Sequence, residues 1–443
     1  MHRRVVITGL GAVSPMGVGF EALWGGLLQG RSALGPITRF DATGFPCRVG
    51  GEVAGYSAKD HVPKHYRKAV KVMARDIELA VGAAKFAAED AGLITRERGE
   101  GVETTYPADR TGCHIGAGLI ATETEELSAA LATSRGEDGR WSAARWGETG
   151  MGNLQPLWLL KYLPNMLACH VTIIHGAEGP SNTITCGDAS GLLSIGESCR
   201  VIERGDADVS FAGGAESKMN LMGMIRTYLA GRTGSSPESL DGSKILRPYA
   251  PDSCGVASEA GGLVILEEEA AARARGAKVY AHVAGFGAGH SGWPPYDDGS
   301  GRGPAGVVNE GLVLAMARAL RDAGVGSGEI DAVVPGALGT PAEDTLEAGA
   351  LRRVFGERLR DIPLITLAPN IGQCWAGSGG LAVGVGARAI LEGVLPARVH
   401  AGGCPNDLAA GACAPQPRRL RTVMVCGGSL GGQNAALVLR AAG

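Results

Sequence analysis

Short apolar runs ending in glycine alternate with stretches of helical period along this chain, and the alternation occurs twice. Val5-Val6-Ile7-Thr8, closed by Gly9 and Gly11, reads as a buried strand. Residues 67–91 carry Val72, Met73, Ile77, Ala80, Val81 and Ala84 at the spacing of one helix face, with Gly92 as a stop. Strands are expected at 111–118, where a tight glycine turn follows, at 183–185 and at 207–212, with a helix over 188–204. The second succession has strands at 261–267 and 279–285 and a helix over 309–323 with Leu312, Met316, Ala319 and Leu320 on one face. A strand at 331–335, a helix at 345–355, a strand at 363–367, a glycine-rich helix from Ala376, and strands at 421–426 and 435–439 complete it. The pattern predicts an α/β protein with mostly parallel sheets covered on both faces, built as two related halves. Residues 134–154 and 231–243, rich in glycine, read as surface loops.

The 443 residues are 45% apolar and 20% charged, which suits a sizeable core and argues against disorder. A net charge of −3 with no long basic run argues against nucleic-acid binding. No apolar run approaches the ~20 residues of a membrane span. The ten cysteines show neither Cys-x-x-Cys pairs nor zinc-site spacing, so no metal is expected. Reduced thiols in a cytoplasmic protein without a signal peptide are the expectation.

The segment Gly179-Pro-Ser-Asn-Thr-Ile-Thr-Cys-Gly-Asp-Ala-Ser-Gly-Leu-Leu-Ser-Ile-Gly196 resembles the nucleophile segment of the β-ketoacyl synthases, the Claisen-condensing enzymes of fatty-acid and polyketide synthesis. Further matches follow in family order: 5–17, Pro164-Asn-Met-Leu-Ala-Cys-His170 with Gly176, Gly205-Asp-Ala-Asp208, Ala212-Gly-Gly-Ala-Glu216, Arg247-Pro-Tyr249 with Glu259, Leu263-Val-Ile-Leu-Glu-Glu268, Gly339-Thr-Pro-Ala-Glu-Asp344 and Gly431-Gly-Gln-Asn434. The resemblance implies a thiolase-like layered α-β-α-β-α sandwich, with an N-terminal half over 1–255 and a C-terminal half over 256–443. It also implies a two-fold dimer whose axis lies near 164–176, an acyl carrier protein as partner, and a phosphopantetheine-linked acyl substrate with no other cofactor.

Carried over position by position, the family's catalytic groups are missing. Asp188 stands where the resemblance places the nucleophilic cysteine. Gly336 and Gln373 stand at the two histidine positions, and Ala368 at the lysine position. The gating aromatic is replaced by Leu430, followed by Gly431 and Gly432. Leu119 occupies the turn where the family limits acyl-chain depth. A decarboxylating condensation needs a thiolate to hold the acyl chain and donors to stabilise the enolate.

Each position also has a plain explanation. Asp188 suits a helix N-cap, where the dipole stabilises its anion, and as a base it could activate water. Cys186 reads as a buried strand residue, with a shifted nucleophile as the alternative. His170 matches a scaffold histidine. His290, in Gly289-His-Ser-Gly-Trp-Pro-Pro295 near the family's substrate mouth, is a loop residue or a catalytic substitute. The Gln373 amide could still donate to a carbonyl. Trp141, Trp146 and Trp158 pack an inserted lobe, or line a tunnel or a subunit contact.

Three functions remain in view. The first is a non-condensing, acyl-binding or partner subunit, homodimeric or paired with an active ketosynthase as chain-length factors are. The second is a repurposed acyl-thioester enzyme performing hydrolysis, acyl transfer or cyclisation through Asp188. The third is a 3-oxoacyl-[acyl-carrier-protein] synthase with relocated groups.

Overall fold

The computed structural model describes residues 3–99, 101–234, 239–291, 308–399 and 404–442. The principal elements in chain order are β1 (Val5–Ser14), α1 (Arg75–Asp90), β2 (Thr111–Ala117), β3 (Ser181–Ile184), α2 (Ser190–Glu203), β4 (Val209–Ser217) and β5 (Glu259–Glu268). They continue as β6 (Ala281–His290), α3 (Glu310–Ala323), β7 (Ala332–Val334), α4 (Ser378–Glu392), β8 (Thr422–Gly428) and β9 (Gln433–Arg440).

Strand order and direction make the two halves visible. One unit runs β3-β2-β4-β5-β1, and the other runs β7-β8-β9-β6. In the first, β2 is parallel to β3 and β4, while β4–β5 and β5–β1 are antiparallel. The second repeats this: β7–β8 parallel, β8–β9 and β9–β6 antiparallel. A parallel bridge from Leu364 to Val333 stands where β3 stands in the first unit. Among the described strands, the units are paired to each other through β1 and β6, at Val6 opposite His282 and Ile7 opposite Ala281.

Helix packing supplies the remaining layers. α1 covers β1, β4 and β5, and α3 covers β6 and β9. Helices α2 and α4 touch each other and both sheets. The result is the expected layered α-β-α-β-α sandwich, with the largest apolar cluster around the central helices, including Leu192, Ile195, Leu381 and Val385.

Several expectations need correction. The sheets are mixed rather than mostly parallel, because the inner strands of each unit pair antiparallel. Residues 363–367 form that single bridge and no strand. The helix expected over 67–91 divides into a 3-10 run, Lys64–Val72, and α1. Met73 and Ala74 between them are extended, which buries both side chains. Gly9 and Gly11 do not end β1 but lie inside it, where a Cβ would strike the carbonyl oxygens of Ala87 and Ala83 in α1. Gly285 and Gly287 in β6 face Ala319 and Ala315 of α3 in the same way. The loop expected over 134–154 contains helical turns from Ala143 to Asn153. Trp141 lies exposed on this lobe against Trp146, so it does not pack a core, whereas Trp158 packs on Tyr162.

The two central helices cross at glycines. A Cβ on Gly379 would sit 2.6 Å from the Leu192 backbone nitrogen and 3.0 Å from the Gly191 Cα. Helix propensity alone would make Gly379→Ala stabilising by up to about 1 kcal/mol. Because the obstructing atoms are backbone, overpacking prevails, and a net loss of about 1–3 kcal/mol is expected in denaturant unfolding.

Candidate functional site

Asp188 occupies the turn Gly187–Ala189 that leads into α2. It is buried, and its side chain does not cap the helix, which corrects the N-cap expectation. A buried carboxylate requires a donor, and Arg232 provides it: Nη1 lies 2.7 Å from Asp188 Oδ2. The same guanidinium donates from Nε and Nη2 to Glu343 Oε1 at 3.1 and 2.7 Å. Its Cζ sits 4.3 Å from the centroid of the Trp375 ring, within cation–π range. Arg232 is 1% exposed although it falls in the stretch expected to be a surface loop. The two carboxylates hold its proton more tightly than an ordinary arginine's, against the opposing effect of burial. Burial, and secondarily the Asp188 charge, raises the carboxyl of Glu343.

Lys218 approaches Trp375 as well, 5.0 Å from the ring centroid, and pairs with buried Glu216. Glu216 accepts the Ala376 N–H at 3.0 Å, just ahead of α4. A buried band of alternating charge and aromatic surface thus runs from Asp188 through Arg232, Trp375 and Lys218 to Glu216. Trp375 and Ala337 are non-glycine residues with positive φ, 48° and 45°, a strain of about 1–3 kcal/mol each. Glu347 secures Ala337 by accepting the N–H groups of Gly336 and Ala337, both at 2.8 Å.

A small cavity of about 50 Å³ opens beside Asp188. Gly336 and Ala368 line it with Asp188, together with Leu192, Leu338 and Cys426. Three positions chosen from sequence therefore meet at one place. Gln373 lies next to them, wholly buried, its Nε2 donating to the Leu338 carbonyl at 2.9 Å and to Thr340 Oγ1 at 2.8 Å. A carbonyl can only accept, so the amide nitrogen is committed there. Gln373 presents an unpaired oxygen, not the donor anticipated for a substrate carbonyl.

The other expected residues lie apart. Leu119 is 60% exposed on the surface of the chain. Leu430, Gly431 and Gly432 form the turn between β8 and β9, with Gly432 at φ 84°. His290, exposed at the end of β6, pairs across to Gln433 beside that turn and is not a wall of the cavity. The rest of its segment, 292–295, lies outside the described residues. Cys186 is past the end of β3 and half-buried, not within the strand, and burial raises its thiol. His170 is structural: Nδ1 meets the Tyr66 hydroxyl at 2.8 Å, and burial lowers its pKa to about 4.

Arg232, Trp375 and Cys426 escaped sequence reasoning. Cys426 is fully buried on β8, and burial keeps its thiol well above its ordinary range. For Arg232 one signal existed, since an aspartate at the start of a core helix demands a cation. Glu343 was already in view within Gly339-Thr-Pro-Ala-Glu-Asp344.

Comparison with known proteins agrees with this construction. The β-ketoacyl synthase N-terminal domain model matches residues 2–272, and the C-terminal domain model matches residues 280–402. The chain therefore belongs to the β-ketoacyl synthase family. It is 30% identical to 3-oxoacyl-[acyl-carrier-protein] synthase 2 of Vibrio cholerae, with 99% of each chain covered. Among solved structures, the ishigamide ketosynthase/chain length factor superposes with a TM-score of 0.81 at 25% identity, covering 100% of both chains. A type II polyketide synthase acyl-carrier protein in complex with its ketosynthase bound to the hexaketide gives 0.82 at 20% identity, also covering 100% of both chains, a likeness of fold.

Replacing Arg232 with methionine would leave Asp188 and Glu343 without their common cation. A loss of about 3–5 kcal/mol is expected in denaturant unfolding. A second expectation concerns Asp76, buried in α1, whose carboxyl is raised to about 7 by burial and then by Glu216, against Lys218. The folded chain holds a proton that the unfolded chain releases near pH 4, so stability falls as pH rises between about 4 and 7. Asp76→Asn should remove that slope, gaining on the wild type up to about pH 7 and keeping a constant advantage above it, as read from unfolding midpoints across pH 4–8.

Proposed function

We propose that this chain is a non-condensing ketosynthase-family subunit of fatty-acid or polyketide biosynthesis. It would bind an acyl chain, or complete an active ketosynthase as a partner, without forming carbon–carbon bonds itself. The observation that carries this is the 2.7 Å bond that locks Asp188 to Arg232, at the position where the family resemblance puts the nucleophile. A carboxylate so paired is a weak nucleophile, and among the described residues no histidine or lysine lines the cavity beside it. Gly336 has no side chain, and the Gln373 amide hydrogens are already engaged. The cavity's sulfur, on Cys426, is held in its protonated form.

Acyl carrier protein is the proposed partner, in keeping with the names of relatives such as 3-oxoacyl-[acyl-carrier-protein] synthase 2. Assembly with an active ketosynthase is proposed on the likeness to a ketosynthase/chain length factor structure. Among the described residues no helix is long and apolar enough to cross a membrane.

The test is incubation of the purified chain with malonyl- and long-acyl-carrier-protein, followed by mass spectrometry, beside Asp188→Ala. The expected result is neither carbon dioxide release nor thioester loss, with stoichiometric co-purification with a ketosynthase. Turnover by the wild type that disappears in Asp188→Ala would overturn the proposal in favour of an acyl-thioester enzyme.

A further inference from the structure

Cys47 and Cys254, far apart in the sequence, are brought together by two segments that run parallel just ahead of β5. Gly51 and Ser258 form a parallel bridge. The Gly51 N–H donates to the Ala257 carbonyl at 3.0 Å, and the Gly51 carbonyl accepts the Glu259 N–H at 3.2 Å. Cys47 stands four residues before Gly51, and Cys254 four residues before Ser258. Counted back from the bridge, the two cysteines are therefore level. An even spacing along extended backbone returns to the same face. At the bridge that face is shared, since a Cβ on Gly51 would lie 2.9 Å from the Ser258 Cβ. Both cysteines enter one buried apolar cluster, with Leu34, Val49, Met219 and Val256. There the Cys254 thiol and Cys47 share a hydrogen bond. Neighbouring strands place level Cα atoms about 5 Å apart, inside the range of about 4.4–6.8 Å that a disulfide spans.

The pair shares a proton as well. A thiolate on Cys47 accepts the Cys254 S–H, which lowers Cys47 below an ordinary thiol and raises Cys254. Cys47 is fully buried and Cys254 is 6% exposed, so a reagent has to be about as small as water to reach them. The position matters to the site. A Cβ on Gly234 would lie 2.9 Å from Cys254 Sγ, and one on Gly255 would lie 1.9 Å from the Arg232 carbonyl oxygen. Cys254 is thus packed against the loop that delivers Arg232 to Asp188.

We propose that Cys47 and Cys254 are a redox-sensitive dithiol that hydrogen peroxide converts to a disulfide, fastening the 47–51 strap to the segment behind Arg232. The thiolate sulfur attacks one peroxide oxygen and the O–O bond breaks. With one proton taken up, the products are a sulfenic acid and water. The second thiol sulfur attacks the sulfenic sulfur, the S–O bond breaks, and the oxygen leaves as water. Overall the two thiols lose two electrons and two protons, and one peroxide becomes two waters. A reducing dithiol reverses the change by exchange. The inference stands whether or not the chain turns over a thioester.

The test is peroxide titration of the folded full chain, followed by N-ethylmaleimide and peptide mapping by mass spectrometry, beside Cys47→Ser and Cys254→Ser. A peptide pair joined through Cys47 and Cys254 is expected, lost on adding dithiothreitol and missing from both variants. Cys413, which is exposed, reports that the peroxide was active. The oxidised chain should also unfold at a higher denaturant concentration than the reduced chain, because the cross-link closes a long loop in the unfolded state. That shift should be missing from both variants. Oxidation of Cys413 while Cys47 and Cys254 remain thiols would overturn the proposal. So would separate sulfinic acids without a cross-link, a joined pair formed only in denaturant, or an unchanged unfolding midpoint after cross-linking. Should either variant fail to fold by circular dichroism, the wild-type maps with and without dithiothreitol decide.

Discussion

The close approach of α2 and α4 at Gly191 and Gly379 sets the position of every group in the site. Each glycine is the second residue of its helix, so the crossing brings two helix N-termini together between the sheets. The partial positive charge of a helix start favours an anion. Each start has one: Asp188 in the turn before α2, and Glu216 accepting the Ala376 N–H before α4. Each anion in turn has a cation, Arg232 or Lys218, and the Trp375 ring lies against both cations. A side chain at either crossing glycine would separate the helices and disperse these charges.

Arg232 shows how a buried carboxylate at the start of a core helix becomes part of the structure. A thiolate at the start of α2 would be kept available for an acyl group. A carboxylate there has to be neutralised in place, because an unpaired buried charge costs several kcal/mol. The guanidinium satisfies one oxygen each of Asp188 and Glu343, and among the described residues the other two oxygens have no hydrogen-bond partner. The strained backbone at Ala337 and Trp375 persists around it, held by Glu347 and by the packing of the tryptophan ring.

Much of the framework was legible in the residues. The helices α2 and α3 and most strands follow from periodicity and glycine punctuation, and the two-fold repetition was visible as two successions. Strand direction was not, because alternation of strands and helices does not state which neighbours pair; β1–β5 and β6–β9 are antiparallel across long stretches of chain. Gly9 and Gly11 misled in a related way. They look like terminators locally, yet they allow α1 to lie close against β1. At the site, Asp188, Gly336 and Ala368 were found by position and do meet at one cavity. The amide of Gln373 pointed elsewhere, since Leu338 and Thr340 claim its hydrogens.

By itself, the sequence determined the layered α/β class, the doubling of the unit, and which residue types stand at the positions the family resemblance singles out, Asp188, Gly336, Ala368 and Gln373. These are matters of local period and of which residue occupies a place. Only the tertiary structure decided that Asp188 is bound by Arg232, 44 positions away, and Arg232 by Glu343, a further 111 positions on. Ion pairs between distant segments leave no periodic trace, and an arginine in a glycine-rich stretch looks solvent-exposed until the fold closes over it.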